Sequence, residues 1–325
     1  MGQVIVVGSV NADYVMRVGH LPAPGETVSG GRLAVLPGGK GANQAHAAAR
    51  LGATVLLIAA IGSDAAGDSA RADLATEGIG DSGLIECDDP TGIAVILVDA
   101  AGENIIAVAP GANDRLTAEV AAERLAHRVE AGTVILASLE IPLAAVLAAA
   151  AAAAAVGATL VVNPAPGRLL PPDLLRGAIL TPNEGEILLL APGQLGRTAT
   201  PGEGSDPCET ADASQSAAVD EAAAVAYLLA AGVRAVIVTR GGRGATLFRP
   251  DAEPADVPAP RVTVVDTVGA GDAFNGALVT ALAGGLSLET AVAAAVQAGA
   301  LACTGAGARQ ALPRAADIPE LSSLD

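Results

Sequence analysis

The strongest constraint on this chain is an alternation. Apolar runs at 3–8 (QVIVVG), 54–62 (TVLLIAAIG), 133–138 (TVILAS), 158–163 (ATLVVN), 178–182 (AILTP) and 235–241 (AVIVTRG) take turns with alanine-rich stretches at about 42–51, 66–77, 117–130, 142–156, 184–190 and 217–231. Uniformly apolar strands separated by helix-length segments suit a parallel sheet buried on both faces, since each crossover must carry a helix over the sheet. The pattern predicts an α/β fold with a three-layer α/β/α arrangement around a mostly parallel central sheet. A length of 325 residues allows two domains or one large one, and the reading taken is a single domain over 1–325.

Two segments break the alternation. Residues 13–39 and 91–110 read as short strands with Gly/Pro turns, the second a hairpin around Ala101 and Gly102. Antiparallel strands inserted near the ends of parallel ones form a cover over the carboxyl edge, where open α/β sheets bind ligands, so a small β-sheet lid is expected. Residues 191–216, rich in Pro, Gly, Ser, Thr and acid, predict a flexible surface loop. Leu143 to Val162 carries no charge, yet its eight consecutive alanines and Gly157 divide it into a helix and a strand rather than a membrane span.

Composition excludes several partners. A formal charge of −17 and the absence of a basic patch argue against nucleic acid. Aromatic residues make up 1% of the chain, which disfavours a ligand held by ring stacking. Cys87, Cys208 and Cys303 are far apart and odd in number, consistent with no disulfide framework and with a reducing cytoplasm. The N-terminal MGQVIVVGSVNAD lacks a basic n-region and reads as a first strand, and no membrane partner is expected.

Familiar phosphate fingerprints fail. No G-x-x-x-x-G-K-[ST] is present, both G-x-G runs lack the third small residue of the dinucleotide fingerprint, and neither H-R-D nor D-F-G occurs. What stands out is VDTVGAGDAFNG (265–276), a Gly-Ala-Gly turn opening a helix with Asp272 in its first turn. Such a turn leaves backbone N–H groups directed out of the positive end of the helix, a ready anion site. The plainer reading is that Asp272 only caps the helix. Of the 18 basic residues 17 are arginine, which leaves Lys40, in the glycine turn PGGKGANQ, as the sole lysine.

GSVNAD (8–13), PGGKGANQA (37–45), NPAP (163–166), TPNEGE (181–186) and VDTVGAGDAFNG, in this order, closely resemble the ribokinase branch of the PfkB carbohydrate kinases. The likeness runs from about Val4 to Pro313, interrupted mainly at 191–216. It implies an ATP-dependent kinase that phosphorylates the 5-hydroxyl of D-ribose. Asp272 would be the general base, and the amides of Gly269, Ala270 and Gly271 the anion hole for the transferring phosphoryl group. Phosphoryl transfer depends on positioning and charge neutralisation, which such a core can supply.

The resemblance also implies sugar contacts at Asn11, Asp13, Gly39, Asn43 and Glu140. Carboxylates and amides suit vicinal diols because they can bond two adjacent hydroxyls. Lys40 either neutralises phosphate charge when the lid shuts or only decorates its loop. Nucleotide contacts are implied at Asn183, Thr239, Gly241, Gly244, Gly271 and Gln297, with Arg240 and Arg243 either near the phosphates or in solvent. Glu186 would govern Mg2+ through water; alone, Asn183 and Glu186 would read as a helix cap with an acidic first turn. A monovalent-cation site, for K+, would use Asp266 and carbonyls of Val268, Ala302, Gly305 and Gly307. There the chain departs from the pattern, reading GARQA (307–311) where G-A-Q-P-S is common, so that Ala311 replaces a hydroxyl. Paired lids imply a homodimer. His20, His46 and His127 match no catalytic position of the family. Alternatives within the class are kinases of deoxyribose, fructose or a nucleoside, and outside it a non-catalytic sugar-binding regulator.

Overall fold

The computed structural model describes residues 2–192 and 213–322. In chain order its elements begin with β1 (Gln3–Val7), β2 (Asn11–Arg17), β3 (Arg32–Gly38), α1 (Lys40–Arg50), β4 (Thr54–Gly62), α2 (Ala65–Thr76) and β5 (Leu84–Cys87). There follow β6 (Gly92–Val98), β7 (Asn104–Ala109), α3 (Ala118–Leu125), β8 (Val134–Ser138), α4 (Leu143–Val156), β9 (Thr159–Asn163), α5 (Pro172–Leu175), β10 (Ile179–Leu180) and α6 (Glu184–Ile187). The last are α7 (Ala213–Ala230), β11 (Ala235–Thr239), β12 (Ala245–Phe248), β13 (Ala255–Val257), α8 (Ala270–Ala283), α9 (Leu288–Ala302) and α10 (Pro319–Ser322).

A nine-stranded sheet in the order β13-β12-β11-β10-β9-β8-β1-β4-β5 is parallel except at β12 and β13. Its strands alternate sides residue by residue. Val4 and Val6 of β1 pack with α1, α2, α8 and α9, while Ile5 and Val7 pack with α3, α4, α5 and α7, so each face supports its own buried core. This is the expected three-layer α/β/α arrangement. Three short strands were not expected from sequence: β5, β12 and β13, which hold only 4, 4 and 3 residues at the sheet's two edges.

The smaller sheet, β3-β2-β6-β7, is built from the two segments that broke the alternation. β2 follows β1 within a few residues, and β3 ends at Gly38, next to the start of α1, so this sheet is rooted at the carboxyl end of the large one. Asn11 pairs in register with Gly38 on one side and Gly92 on the other. The uncharged stretch becomes α4, stopped by Gly157 in the left-handed conformation at φ 72°, and then β9. Among the described residues no helix is long and apolar enough to cross a membrane. Most of the 191–216 stretch lies outside the described residues, and its last residues, from Ala213, already belong to α7.

Helices α1 and α8 lie against each other through small residues. A Cβ at Gly276 would stand 2.4 Å from that of Ala47 and 2.8 Å from the Ala48 nitrogen, so only glycine permits this approach. The close crossing has a consequence for the site, because α1 carries Asn43 and Gln44 and α8 carries Asp272.

Candidate active site

Asp272 occupies the first turn of α8, where an acid would ordinarily bond its own helix. Here no side chain caps α8, whose N-cap, Gly269, is left-handed at φ 80°. The Asp272 carboxylate, in a residue only 8% exposed, instead accepts from Asn43 Nδ2 and Gln44 Nε2 of α1, each at 3.1 Å. The capping reading therefore fails; of the amides expected to form an anion hole, that of Ala270 donates to the Thr267 carbonyl at 3.3 Å.

Facing it stand the residues at the end of β1 and the root of the small sheet. The Asp13 carboxylate lies directly on Gly38, where a Cβ would come within 2.1 Å of it, so a side chain at 38 would displace this carboxylate. Asn11 is fixed by Asn113, whose Nδ2 donates to Asn11 Oδ1 at 2.8 Å. Glu140, just beyond β8, accepts from the Ser9 hydroxyl at 2.5 Å and the Lys40 backbone N–H at 3.0 Å, and its other oxygen is 4.0 Å from Lys40 Nζ. Gly39 connects β3 to α1 at φ 85°.

These groups share one electrostatic field. Burial, then Glu140 and Asp272, push the Asp13 carboxyl up to about 6, against the pull of Arg309 and Lys40. Burial likewise pushes Asp272 up, opposed by Lys40 and by the Asn43 and Gln44 bonds. Burial raises Glu186 as well, with Lys40 opposing. Burial works against the charge on Lys40, yet Asp272, Glu140, Glu186 and Asp13 hold its ammonium above the ordinary lysine range. The sole lysine is thus the cation about which four carboxylates gather.

On the other side of the α8 mouth lies a cavity of about 220 Å³. Thr239, Gly241, Gly244, Ala270 and Gly271 line it, with an apolar wall that includes Pro260, Val264 and Phe274. Two residues read as nucleotide contacts do not reach its lining. The Gln297 amide is held by the Glu320 carboxylate at 2.9 and 3.0 Å, and its helix neighbours Val296, Gly299 and Ala300 line the cavity instead. Asn183 forms a capping box with Glu186: its Oδ1 accepts from the N–H groups of Gly185 and Glu186, and Glu186 Oε2 accepts from the Asn183 N–H. Arg240 is tied to Glu221, Glu184 and Thr246, and Arg243 to Glu184, so neither lines this cavity.

The segment implied to hold a monovalent cation is drawn together. Asp266 accepts from the backbone N–H groups of Val268 and Gly307, both at 3.0 Å, and Gly305 lies close to Ala311. Ala302 is buried in the last turn of α9. Cys87 and Cys303 are free thiols, while Cys208 falls outside the described residues.

Several site residues were not singled out in the sequence. Gln44 donates to both Asp272 and Asn163; Asn163 donates to the Thr181 carbonyl, Thr181 to Asn275, and Asn275 to the Gly271 carbonyl. This buried chain ties α1, β9, β10 and α8 together behind the helix mouth, using polar letters of the motifs that had been assigned no role. Arg309 is the other addition, 6% exposed and bonded to Asn43, Asp73 and the Gly38 carbonyl.

Comparison with known proteins agrees with this arrangement. Residues 1–315 match the pfkB family carbohydrate kinase family. The ribokinase of Haemophilus influenzae is 37% identical over 310 residues, spanning 95% of this chain and 94% of that one. The ribokinase structure from Thermotoga maritima superposes with a TM-score of 0.83 at 32% identity, covering 100% of this chain and 99% of the other. That of Arabidopsis thaliana ribokinase, complexed with ribose and ATP, gives 0.79 at 28% identity, with 99% and 98% covered. The chain belongs to the PfkB family of carbohydrate kinases, which makes it an ATP-dependent sugar kinase.

The Asp13 environment makes a stability prediction. Its carboxyl titrates near 6 when folded and near 3.8 when unfolded, so ionisation opposes folding as pH rises through that window. Asp13→Asn should therefore stabilise the protein in urea denaturation by about 3 kcal/mol at pH 8 and about half that at pH 5. A variant no more stable than its parent at pH 8 would show that this carboxylate is not desolvated.

Proposed function

We propose that the protein transfers the γ-phosphoryl group of ATP to the 5-hydroxyl of D-ribose, giving ribose 5-phosphate and ADP. The observation that carries the reading is the double membership of one helical turn: Ala270 and Gly271 wall the cavity, while Asp272, the next residue, faces the carboxylate and amide cluster. A nucleotide in the first space and a sugar in the second would meet across the mouth of α8.

In this reading Asn11, Asp13, Gly39, Asn43 and Glu140 hold the sugar. Asp272 takes the proton of its hydroxyl, and the amides of Gly269, Ala270 and Gly271 receive the transferring group. Lys40, among Asp272, Glu140 and Glu186, offsets charge between the two substrates. Thr239, Gly241 and Gly244 flank the nucleotide. Mg2+ bound to ATP supplies further neutralisation of the phosphates, and the half-buried Glu186 carboxylate, a hard oxygen donor, fits the task of holding its waters. In the same reading K+ would bind at Asp266 and the carbonyls of Val268, Ala302, Gly305 and Gly307. D-Ribose is preferred over a nucleoside because the ribokinases are the similar proteins and because the sequence offers few rings for a base.

The described residues act as one domain with the small sheet as its lid. Leu33, Val35, Val95 and Ile105 are exposed on the face of that sheet opposite Asp13, an apolar patch that a second copy would cover. Sedimentation velocity should show a dimer that Val35→Glu with Ile105→Glu converts to monomer; a monomeric parent would exclude the pairing.

The direct test is ADP release at fixed MgATP with no sugar, D-ribose, deoxyribose or fructose, each in K+ or tetramethylammonium salt. D-Ribose should give the highest kcat/KM, and K+ should increase it. Turnover of fructose without D-ribose would reverse the choice of substrate, and equal rates in both salts would remove the cation.

A further inference from the structure

Segment 307–311 is where the chain leaves the ribokinase pattern, and it carries a buried cation that the transfer reading does not employ. Arg309 reaches from this loop into the two-glycine turn. Its Nε donates to Asn43 Oδ1 at 2.8 Å, one terminal nitrogen to the Gly38 carbonyl at 3.1 Å, and the other to the Asp73 carboxylate of α2. His46 Nε2 lies 3.0 Å from the same Asp73 oxygen. Ala308, the residue before, packs its backbone against Gly269 at the mouth of α8. One residue thus joins the floor of the anion site to the root of the small sheet.

The donor and acceptor chemistry makes this contact directional. A guanidinium can only donate, and an ionised carboxylate can only accept. The Asn43 amide stands between the two, with Oδ1 on Arg309 and Nδ2 on Asp272. Both partners demand the same orientation. One amide hydrogen serves Asp272, which leaves the second for an oxygen of the ligand. Without Arg309 the amide keeps only its bond to Asp272, and a rotated amide would set its carbonyl oxygen against the Asp272 carboxylate.

We propose that Arg309 is a positioning residue of the sugar site, holding the Asn43 amide with its NH2 group toward Asp272 and the sugar while tying Gly38, at the foot of the small sheet, to the loop beneath α8. It acts through Asn43 rather than on the substrate. The inference rests on the sugar-kinase reading and concerns one half of that site only, so the nucleotide half should be insensitive to it.

The test is a set of initial-rate measurements with whichever sugar the unaltered enzyme turns over fastest. Arg309→Met keeps the length of the side chain and removes its donors; it should raise the sugar KM about tenfold and leave that for MgATP within about twofold. Arg309→Gln, whose amide can still donate to Asn43 Oδ1, should recover most of that loss. Combined with Asn43→Ala, Arg309→Met should add nothing to the effect of Asn43→Ala alone. If Arg309→Met does not fold, Arg309→Lys takes its place in the same cycle. Lysine keeps a charge beside Asp73 but cannot bond Asn43, Gly38 and Asp73 together. An unchanged sugar KM, an equal rise for both substrates, or effects that multiply in the double variant would overturn the proposal. Failure of the unaltered enzyme to phosphorylate any sugar would instead remove the underlying reading.

Discussion

Like charges gathered out of water set the terms for the rest of this molecule. Asp13, Glu140, Asp272 and Glu186 come together around Lys40, and burial pushes the carboxyls of Asp13, Asp272 and Glu186 upward. Such a cluster is unfavourable on its own. Three of its members are held by rigid partners: Asp272 by two amides of α1, Glu140 by Ser9 and a backbone N–H, Glu186 by the start of α6. The cost is concentrated where the chemistry is needed, a common location for strained and desolvated groups.

The fold supplies that rigidity by simple means. Parallel strands end along one edge of the sheet, and each helix starts there, so helix amino ends and strand carboxyl ends face the same space. α1 and α8 approach through Gly276, which brings Asn43 and Gln44 within reach of Asp272. Because the carboxylate is engaged across this contact, it does not fold back onto its own helix; Ala270 and Gly271, at the α8 mouth, line the cavity beside it. The buried chain from Gln44 to Gly271 then fixes that mouth from behind.

Long apolar strands were legible because burial on both faces leaves no room for polar residues; β4 has the bounds the sequence suggested. The edge strands β5 and β13, and β12 beside the latter, were not, since they are only three or four residues long and the two edge strands are partly exposed. Predicted helix 117–130 closes early, at Leu125, with His127 at a positive φ of 61°. In the site, residues inside glycine-marked motifs could be placed through the family resemblance those motifs carry. Arg309 could not, because its partners Asn43, Asp73 and Gly38 are brought to it only by folding. Gln297 shows the converse: a helix position near the nucleotide cavity whose side chain is drawn away by Glu320, a partner distant in sequence order.

The account stands on Asp272 as the group that accepts the hydroxyl proton. Asp272→Asn keeps the size of the side chain and removes its basicity, so kcat with D-ribose and MgATP should fall by about 10³-fold or more, while D-ribose binding measured by calorimetry stays within about threefold of the parent. Turnover close to that of the unaltered enzyme would contradict the account, since the carboxylate would then have no part in the transfer.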